Sequence, residues 1–461
     1  MARKNGVWFV ILVVAALMFL RLPHMIARQD SVLNTYGVLV EVDALARKHF
    51  VEPLDQDRLV QGAVRGLLDT LDPYSTYIAP EEMADFELMK TGEYNGLGIE
   101  IGVRDGAITI ISPIEGSPAA LAGIRPGDRM VEIDGHDVRD ASVPYAGKLL
   151  DGTPNTPVTL TVVRDSQPDP IRIEIVRGAV SVTTVRGFRK HADGTWDYLA
   201  QPDGGIGYIR VSSFTDRTMS DFNVALERLV EQRATALVVD LRFNPGGMMG
   251  QAIEMVDRFI SRGTIVSTVT RREAVHLYSA SQTGTITDMA LAVLINGGSA
   301  SCSEIVSGSL QDHRRAVVVG ERSFGKGSLQ HVIPLTGDRG AVKLTVAHYR
   351  LPGGRIIHRT EGNSAGDDWG VMPDVEVLLT GEETARIMRS RSAVDSLVEL
   401  DQSPSGALAG RTRPHDHNSG APPSAHIRSD GTTPQAGSSR AEIVRDRQLA
   451  QALSLLAEQV R

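Results

Sequence analysis

Hydrophobic and polar residues follow three successive patterns along the chain, and each pattern predicts a different kind of structure. In the segment 30–92, apolar residues recur at helical spacing, most clearly from Val60 to Leu71, which predicts a small helical N-terminal segment. In the segment 93–178, apolar and polar residues alternate, which predicts short β-strands. In the segment 179–380, apolar runs alternate with helical patterns, which predicts strands connected by helices.

The segment 93–178 has the length of a small independent domain. Its pattern predicts strands with one helix between them, from Ser117 to Ala122. The predicted strands include Ile99–Val103, Ile108–Ile110, Val131–Ile133 and Val158–Val162. The Asp105-Gly106 pair predicts a hairpin turn between the first two.

The segment 179–380 predicts an α/β fold. The predicted strands are Ile206–Val211, Ala236–Leu241 and Leu291–Ile295, and the predicted helices are Phe222–Val230 and Gly250–Ile260. Because strands separated by helices usually pair in parallel, we expect a mostly parallel β-sheet flanked by helices. Functional sites of such folds form in loops at the carboxyl ends of the strands.

The segment 1–29 has the order of an export signal, because Arg3 and Lys4 precede an apolar run from Val7 to Leu20. A helix of that run spans about 21 Å, less than the roughly 30 Å hydrocarbon core, which favours a signal peptide. Ala27 marks a cleavage site poorly, so an N-terminal membrane anchor stays open, and a buried core helix is the alternative. We expect an exported protein in the periplasm or cell envelope, attached to the inner membrane if the segment is retained.

The end of the chain predicts a linker followed by a helix. The linker, 381–440, is expected to be partly disordered, because residues 401–440 are rich in Pro, Gly and Ser and burial cannot offset their ordering entropy. The segment 441–461 predicts an amphipathic helix whose apolar stripe docks on this chain or another one. The stripe consists of Leu449, Leu453, Leu456 and Val460.

Composition excludes two classes of site. The chain of 461 residues has 48 basic and 56 acidic residues and a net charge of -8, and it lacks the concentrated positive charge that nucleic acid requires. Cys302 is the only cysteine, which excludes an intrachain disulfide and a cysteine metal cluster. We expect no nucleic-acid partner, no metal site and no cofactor.

The segment from Ala292 to Val306 predicts a buried strand, a glycine-bearing turn and the start of a helix. Such a turn can present a serine hydroxyl in a cleft, where N–H groups of the helix start stabilise negative charge. Ser301 is therefore a candidate nucleophile. The alternative is that Ser299, Ser301 and Ser303 only cap the helix.

Lys326 is the candidate base, since a lysine that burial keeps neutral can accept the proton of a serine. It lies between Gly325 and Gly327, which would let the backbone approach another loop; a surface lysine is the alternative. The stretch from Gly320 nearly matches a phosphate-binding loop, which supplies a rival function. However, Gly327 replaces the Ser or Thr of that loop, and Ser328 to Leu335 predicts a strand where the loop would open a helix.

A second glycine turn, Asn244-Pro245-Gly246-Gly247, follows the predicted strand that ends at Leu241. Backbone N–H groups at such a bend can form one half of an oxyanion hole. The N–H of Cys302, the residue after the candidate nucleophile, can form the other half. An ordinary helix start is the alternative.

Together these segments resemble the carboxyl-terminal processing peptidases, also called tail-specific proteases. The motifs that carry the resemblance are Gly298 to Ile305, Phe324 to Gly327, Gln330 and Asn244 to Gly247. The spacing of Ser301 and Lys326 agrees with the dyad of that family, and the likeness extends from Val32 to Leu379.

The resemblance implies a serine endopeptidase that cleaves proteins near their C-termini through a Ser-Lys acyl-enzyme. The implied site residues are Ser301 as nucleophile, Lys326 as general base, Gln330 as the residue that positions the lysine, and Gly247 and Cys302 as oxyanion donors. Cys302 stands where the family usually has alanine, so its thiol could crowd the cleft or be oxidised. Phe243 stands where a smaller or polar residue is commoner and could narrow the same cleft.

For the segment 93–178 the resemblance implies a PDZ-like substrate-binding domain inserted into the fold. The loop Gly96-Leu97-Gly98-Ile99 stands where a PDZ domain binds a terminal carboxylate through N–H groups, while the peptide adds a strand to the sheet edge. An ordinary glycine turn is the alternative, but Ala122 to Asp128 follow at the family spacing. The implied partners are protein or peptide substrates with free C-termini; an activating or adaptor protein and a homo-oligomer stay open.

Two alternatives remain. A serine can use histidine as its base, but none of the histidines considered lies in a motif beside Ser301, and we expect structural or surface roles for them. These histidines are His313, His331, His348 and His358. The rival function is a catalytically silent scaffold, in which the PDZ-like domain binds tails and the peptidase fold is a platform.

Overall fold

The computed structural model describes residues 36–104, 106–114, 116–164, 167, 169–191, 195–201, 205–273, 275–360, 362–364, 366–396 and 446–460. The predicted signal or anchor, 1–29, and the linker residues 401–440 lie outside this part. Within it, no helix combines the length and the hydropathy needed to cross a membrane. The chain divides into two compact units. One comprises the described residues up to Ala79 with Val332–Leu344, and the other comprises Pro80–His331 with the described residues from Thr345 onward.

The first unit contains two helices and a short strand. Helix α1 spans 36–49, helix α2 spans Gln56–Asp69, and strand β1 spans Thr76–Ile78 and pairs antiparallel with residues 341–343. Asp55 caps α2 by accepting the N–H of the third residue of the helix, at 3.2 Å. The small core consists of Leu68, Tyr77 and Ala79 with Val64, Leu335, Val342 and Leu344 packed against it. Helices therefore occur where the apolar spacing predicted them.

The second unit begins with helix α3, Met83–Thr91, and a β-rich region. Its strands are β2 (Glu93–Gly96), β3 (Ile99–Arg104), β4 (Ala107–Pro113), β5 (Arg129–Ile133), β6 (His136–Asp137), β7 (Pro157–Val163), β8 (Ile171–Val176) and β9 (Gly178–Ser181). Strands β3, β4, β5, β7 and β8 form an antiparallel sheet in that order, β6 pairs with β5, and β2 pairs with β9. The alternating residues, such as Ile110 and Leu160, are fully buried, as the pattern predicted.

This β-rich region contains two helices, whereas the sequence predicted one. Helix α4, Pro118–Leu121, lies within the predicted range, but α5, Val143–Leu150, was not predicted. Ser142 caps α5 through the Tyr145 N–H at 3.4 Å, and Pro144 lies in its first turn, where proline is favoured. With only two turns, α5 shows too short a helical period to be recognised.

Thirteen further strands and five helices follow along the described part of the chain, and parts of β20 and β21 belong to the first unit. The strands are β10 (Val185–Arg186), β11 (Arg189–Lys190), β12 (Trp196–Asp197), β13 (Leu199–Gln201), β14 (Ile206–Val211), β15 (Ala236–Asp240), β16 (Thr264–Thr270), β17 (Val275–Ser279), β18 (Ala290–Ile295), β19 (Val317–Gly320), β20 (Ser328–Pro334), β21 (Ala341–Arg350) and β22 (Val375–Glu376). The helices are α6 (Thr218–Glu231), α7 (Met249–Asp257), α8 (Cys302–Asp312), α9 (Gly381–Ser396) and α10 (Arg447–Gln459).

The central sheet of this part has seven strands and is mixed. Strands β14, β15, β18, β19 and β22 pair in parallel in that order, whereas β10 and β13 pair antiparallel with β14. Strand β16 pairs antiparallel with β17 and with Ala347–Arg350 of β21. The prediction of a mostly parallel sheet is thus not confirmed: the described sheets are mostly antiparallel, and the parallel pairs are confined to the central sheet.

Both faces of the central sheet are covered. Successive residues of a strand point to opposite faces, so Val239 and Val293 join the core formed with α6, α7 and α8, while Val238 and Ala292 join the core formed with α10. The stripe residues Leu449, Leu453 and Leu456 are buried in the second core. The predicted C-terminal helix therefore exists and docks on its own chain.

Helix α9 corrects the prediction of a partly disordered linker at 381–440 for residues 381–396. Thr380 and Glu383 form a reciprocal capping box: the Glu383 carboxylate accepts the Thr380 N–H at 2.7 Å, and the Thr380 hydroxyl accepts the Glu383 N–H at 3.2 Å. Arg391 then bonds to the buried Asp240. Because α9 is held by polar contacts of this kind, its sequence shows no helical spacing of apolar residues from which the helix could be predicted.

Candidate active site

Ser301 occupies a sharp turn between β18 and α8. Its backbone has φ 56° and ψ -111°, a strained conformation for a residue other than glycine that costs about 1–3 kcal/mol, and the residue is 7% exposed. Ser299 donates its hydroxyl to Leu241 O at 2.8 Å, and Ser303 donates to Asn244 O at 2.9 Å. The hydroxyls of Ser299 and Ser303 therefore hold the turn against the backbone that follows β15. Of the three serines, Ser301 is the one with a strained backbone.

Glu304 links the serine turn to the loop that carries Lys326. Its Oε2 accepts the backbone N–H of Ser301 at 2.7 Å and that of Lys326 at 2.8 Å. Its Oε1 accepts the Gly325 N–H at 2.7 Å and the Ser323 hydroxyl at 2.5 Å. Burial raises the pKa of the Glu304 carboxyl, and these four donors oppose the rise.

Lys326 is half-buried, and its loop approaches neighbouring backbone closely, as the flanking glycines predicted. A Cβ on Gly327 would lie 2.5 Å from the His358 backbone nitrogen, so only glycine fits there. Gly327 O accepts the Tyr349 N–H at 2.8 Å. The strand β20 begins directly afterwards, at Ser328, where a phosphate-binding loop would open a helix. The rival prediction of nucleotide binding thus lacks its structural context.

The predicted oxyanion residues lie in contact. The Cys302 thiol donates to Gly247 O at 3.3 Å, and the Ala300 N–H donates to Asn244 O at 3.0 Å. Gly247 has φ 143°, and a Cβ there would lie 2.1 Å from Phe214 O, so this turn requires glycine.

The Cys302 thiol is fully buried. Burial raises the pKa of this thiol to about 12, although hydrogen bonding by the Gly247 backbone and by the Ser301 side chain lowers it. A thiol that is directed at a backbone carbonyl leaves the backbone N–H of Cys302 unchanged. Phe243, the other departure from the family pattern, has φ 64° and lies under the Arg391 guanidinium, which is 5.4 Å from its ring centroid.

Gln330 bonds within its own sheet. Its amide nitrogen donates to the Ser328 hydroxyl at 2.8 Å, to Ser328 O at 3.2 Å and to the Thr345 hydroxyl at 3.3 Å. These contacts fix the strand just after Lys326. A direct role in positioning the lysine stays a prediction.

The predicted carboxylate-binding loop joins β2 to β3. Gly96 ends β2 and Ile99 begins β3, Leu97 is buried in the core of the β-rich region, and Gly98 has φ 74°. The Gly98 carbonyl accepts the Ile114 N–H at 2.8 Å and the Ser117 hydroxyl at 3.1 Å. Strand β3 ends the strand order of its sheet, so one of its edges has no partner strand among the described residues.

Two residues of this site were not found from the sequence. Glu304 stands three residues after Ser301, and this Ser-x-x-Glu spacing is a readable capping-box signal. Tyr349 had no local signal: its phenol is buried and interacts with the Ser301 hydroxyl, and burial raises the pKa of that phenol. The contact of Tyr349 with Ser301, and the contacts of Glu304 with the loop of Lys326, join chain segments that meet only in the fold.

Comparison with known proteins supports the family indicated by the motifs. Residues 205–377 match peptidase family S41, residues 109–164 match a PDZ domain, and residues 27–82 match the N-terminal domain of the activating protease CtpB. The chain is 38% identical over 352 residues to a carboxy-terminal-processing protease of Bartonella bacilliformis, covering 75% of this chain and 76% of that protein. It is 33% identical over 333 residues to a carboxyl-terminal-processing protease of Synechocystis sp., covering 72% of this chain and 74% of that protein.

Among solved structures, a photosystem II D1 C-terminal processing protease is 28% identical to this chain, with a TM-score of 0.41. The alignment covers 75% of this chain and 90% of that one. The assignment to a family rests on the Bartonella and Synechocystis proteases, which align with this chain over 76% and 74% of their own length. The chain belongs to the carboxy-terminal processing proteases of peptidase family S41, the family that its serine, lysine and glycine motifs predicted.

Proposed function

We propose that this protein is a serine endopeptidase that cleaves protein substrates near their C-termini, with Ser301 as nucleophile and Lys326 as general base. The observation that carries the proposal is the shared acceptor, since Ser301 and Lys326 both donate their backbone N–H groups to Glu304 Oε2. Two residues that are far apart in sequence are thereby held at one buried carboxylate. Such pre-organisation of a nucleophile and its base is what acyl transfer requires.

In the proposed reaction, the neutral amine of Lys326 accepts the proton of the Ser301 hydroxyl while Oγ attacks the substrate carbonyl. The N–H groups of Gly247 and Cys302 donate to the oxyanion that forms. The Lys326 ammonium then protonates the leaving amine, and the peptide bond breaks to leave an acyl group on Ser301. Water, deprotonated by Lys326, hydrolyses this ester and releases the new C-terminus. Gln330 is proposed to restrict the lysine through β20, the strand that begins two residues after Lys326.

The β-rich region is proposed to capture the substrate tail. A terminal carboxylate would bind at the Gly96–Ile99 loop, and the peptide would add a strand to the open edge of β3. A cavity of about 620 Å³ is lined by Ile99 and also by Phe243, just before the Asn244–Gly247 turn. This shared cavity supports the idea that a tail held at the loop is close to the proposed oxyanion site.

The segment boundaries and the location of the protein are proposals as well. The PDZ match at 109–164 and the peptidase match at 205–377 lie inside the segments 93–178 and 179–380, which supports that division. The charge and hydropathy of the segment 1–29 support export. A protein substrate follows from the family, and an activating protein stays a proposal.

Covalent labelling tests the enzyme against the scaffold hypothesis. We expect a fluorophosphonate probe, applied with a tail peptide present, to modify Ser301, which mass spectrometry of the digested protein would locate. The matched control is Ser220→Ala, at an exposed position of α6, which should be labelled normally at Ser301. A protein that binds tail peptides but takes no probe at Ser301 and cleaves none of them would be a scaffold.

Amidation of the peptide tests tail capture separately. Hydrogen bonds to a charged carboxylate contribute about 1.5–3 kcal/mol, which corresponds to about 10- to 100-fold in affinity. We therefore expect kcat/KM to fall by that factor when the free C-terminus of a substrate is amidated. Equal rates for the two peptides would contradict tail capture without affecting the assignment of Ser301.

A further inference from the structure

We infer that the first turn of the C-terminal helix α10 positions both catalytic loops, with Asp446 and Gln448 acting as positioning residues. The inference rests on the proposed function and extends it to a segment far along the chain from every catalytic motif. Its basis is a buried set of hydrogen bonds that joins the start of α10 to the strand ends from which the two loops emerge.

The first contact holds the strand end before the oxyanion turn. Asp446 binds the Arg242 guanidinium through two bonds, from Nη1 to Oδ1 at 2.9 Å and from Nη2 to Oδ2 at 2.8 Å. On the other side, Asp240 accepts Nε of Arg242 at 3.0 Å and Nη2 at 2.6 Å. The Arg242 side chain is 1% exposed. Because two-bond pairs of this kind fix both position and plane, Arg242 fixes the backbone that leads into Phe243 and the Asn244–Gly247 turn.

The second contact reaches the loop of the proposed base. Gln448 is fully buried, and its Oε1 accepts Nη1 of Arg242 at 3.1 Å. Its Nε2 donates to Val377 O at 2.8 Å and to Oε1 of Glu321 at 3.4 Å. Glu321 directly follows β19 and begins the loop 321–327, which carries Lys326. One amide side chain therefore bonds to groups at the start of both catalytic loops.

Charge makes the arrangement sensitive to Asp446. Asp240 also pairs with Arg391, which is 14% exposed, so the buried Arg242 and the partly buried Arg391 share that carboxylate, and Asp446 supplies the second negative charge. Removal of one partner from a buried ion pair leaves an uncompensated charge. Arg242 would then shift toward Asp240, and a displacement of about 1 Å at a catalytic group costs about 100-fold in rate.

The experiment uses the 461-residue chain and four single variants, Asp446→Ala, Gln448→Ala, Asp446→Asn and the control Arg447→Ala. The Arg447 side chain is 55% exposed, and among the described residues its bonds are to Leu378 O at 3.3 Å and to Glu383 at 3.4 Å. We expect the first two variants to lose about 10- to 100-fold in kcat, corrected for the folded fraction by circular dichroism. KM and tail-peptide affinity should stay at wild-type values, and Asp446→Asn, which retains one acceptor oxygen, should recover part of kcat. Arg447→Ala should retain wild-type kcat.

A second readout does not depend on activity. In Asp446→Ala, amide hydrogen exchange should become faster in the segments 243–247 and 321–326, while α8 keeps its protection. Wild-type kcat for folded Asp446→Ala and Gln448→Ala, or unchanged exchange in both segments, would overturn the inference. If the wild-type protein cleaves no peptide, the proposed function fails, and the exchange measurement still decides whether α10 positions the two loops.

Discussion

The Cys302 thiol donates a hydrogen bond to the carbonyl of Gly247 at 3.3 Å, so the two residues proposed to stabilise the oxyanion are joined to each other. This contact links the start of α8 to the turn that follows β15. The Cys302 side chain thus contributes a contact between the two segments that carry the proposed oxyanion donors. The thiol points at the backbone of the turn, and its presence is compatible with an oxyanion hole built from N–H groups.

The first prediction concerns the reactivity of Cys302. Burial raises the pKa of its thiol to about 12, so only about one molecule in ten thousand carries the thiolate at pH 8, and the thiolate is the reactive form. We expect iodoacetamide to leave Cys302 unmodified in the native protein and to alkylate it in urea, as followed by intact mass. Cys302→Ala should keep kcat within about threefold of wild type, because it retains the N–H. Rapid alkylation of the native protein would contradict this account of the thiol.

The second prediction concerns Glu304. In Glu304→Gln an amide nitrogen replaces one oxygen, so two of the four N–H and O–H donors face another donor. We expect kcat to fall by about 100-fold, the cost of a small displacement of catalytic groups, and the free energy of unfolding to fall by about 1–3 kcal/mol. Steady-state kinetics and urea unfolding measure the two effects.

The control for Glu304 is Glu227→Gln, which makes the same chemical change at an exposed position of α6. This variant should match wild type in both measurements. Glu304→Gln with wild-type kcat would show that the shared carboxylate does not align Ser301 and Lys326.

The third prediction concerns the pH dependence of stability at Asp240. Burial alone would raise the pKa of this carboxyl, but Arg242 and Arg391 outweigh burial and hold the pKa well below its usual range. Since the native carboxylate binds a proton less readily than the unfolded one, its contribution to stability is complete above the ordinary Asp pKa and is lost as the pH falls below it. Asp240→Asn should therefore flatten the decline of unfolding free energy between about pH 5 and about pH 3.

Asp240→Asn should also be less stable at pH 7 by about 3–5 kcal/mol, because it leaves the buried Arg242 with Asp446 as its one carboxylate and removes the carboxylate that pairs with Arg391. Urea unfolding across the pH range provides both numbers, and Asp140→Asn, at an exposed position, is the control. An unchanged slope at acid pH in Asp240→Asn would refute the assignment of this titration to Asp240.

Residues that shape the chain locally were predictable from the sequence. Ser301 and Gly247 lie in turns rich in glycine or serine that follow long apolar runs. Turns of this kind can be recognised from the local sequence, without knowledge of distant contacts. The glycines on either side of Lys326 also predicted that the backbone of this loop approaches another loop closely. These positions, and the strands that lead to them, therefore follow from residues within a few places of each other.

Residues whose role depends on distant partners were not predicted. Arg242 and Asp446 meet only after the sheet and α10 have assembled, and a salt bridge of this kind leaves no periodic signal. Helix α9 was missed because its anchor, Arg391, bonds to Asp240 on another element. The capping box at Thr380 and Glu383 is visible in the sequence and indicates a helix start. The segment has no apolar stripe, however, and was therefore predicted to be a linker.

The measurement that tests the account most directly is the cleavage rate of an unstructured C-terminal peptide by purified Ser301→Ala and Lys326→Ala. Each variant removes one partner of the proposed proton transfer, and we expect each to lose about 1,000-fold or more in kcat while it binds the peptide as tightly as wild type. Retained turnover in either pure, folded variant would contradict the Ser301 and Lys326 mechanism.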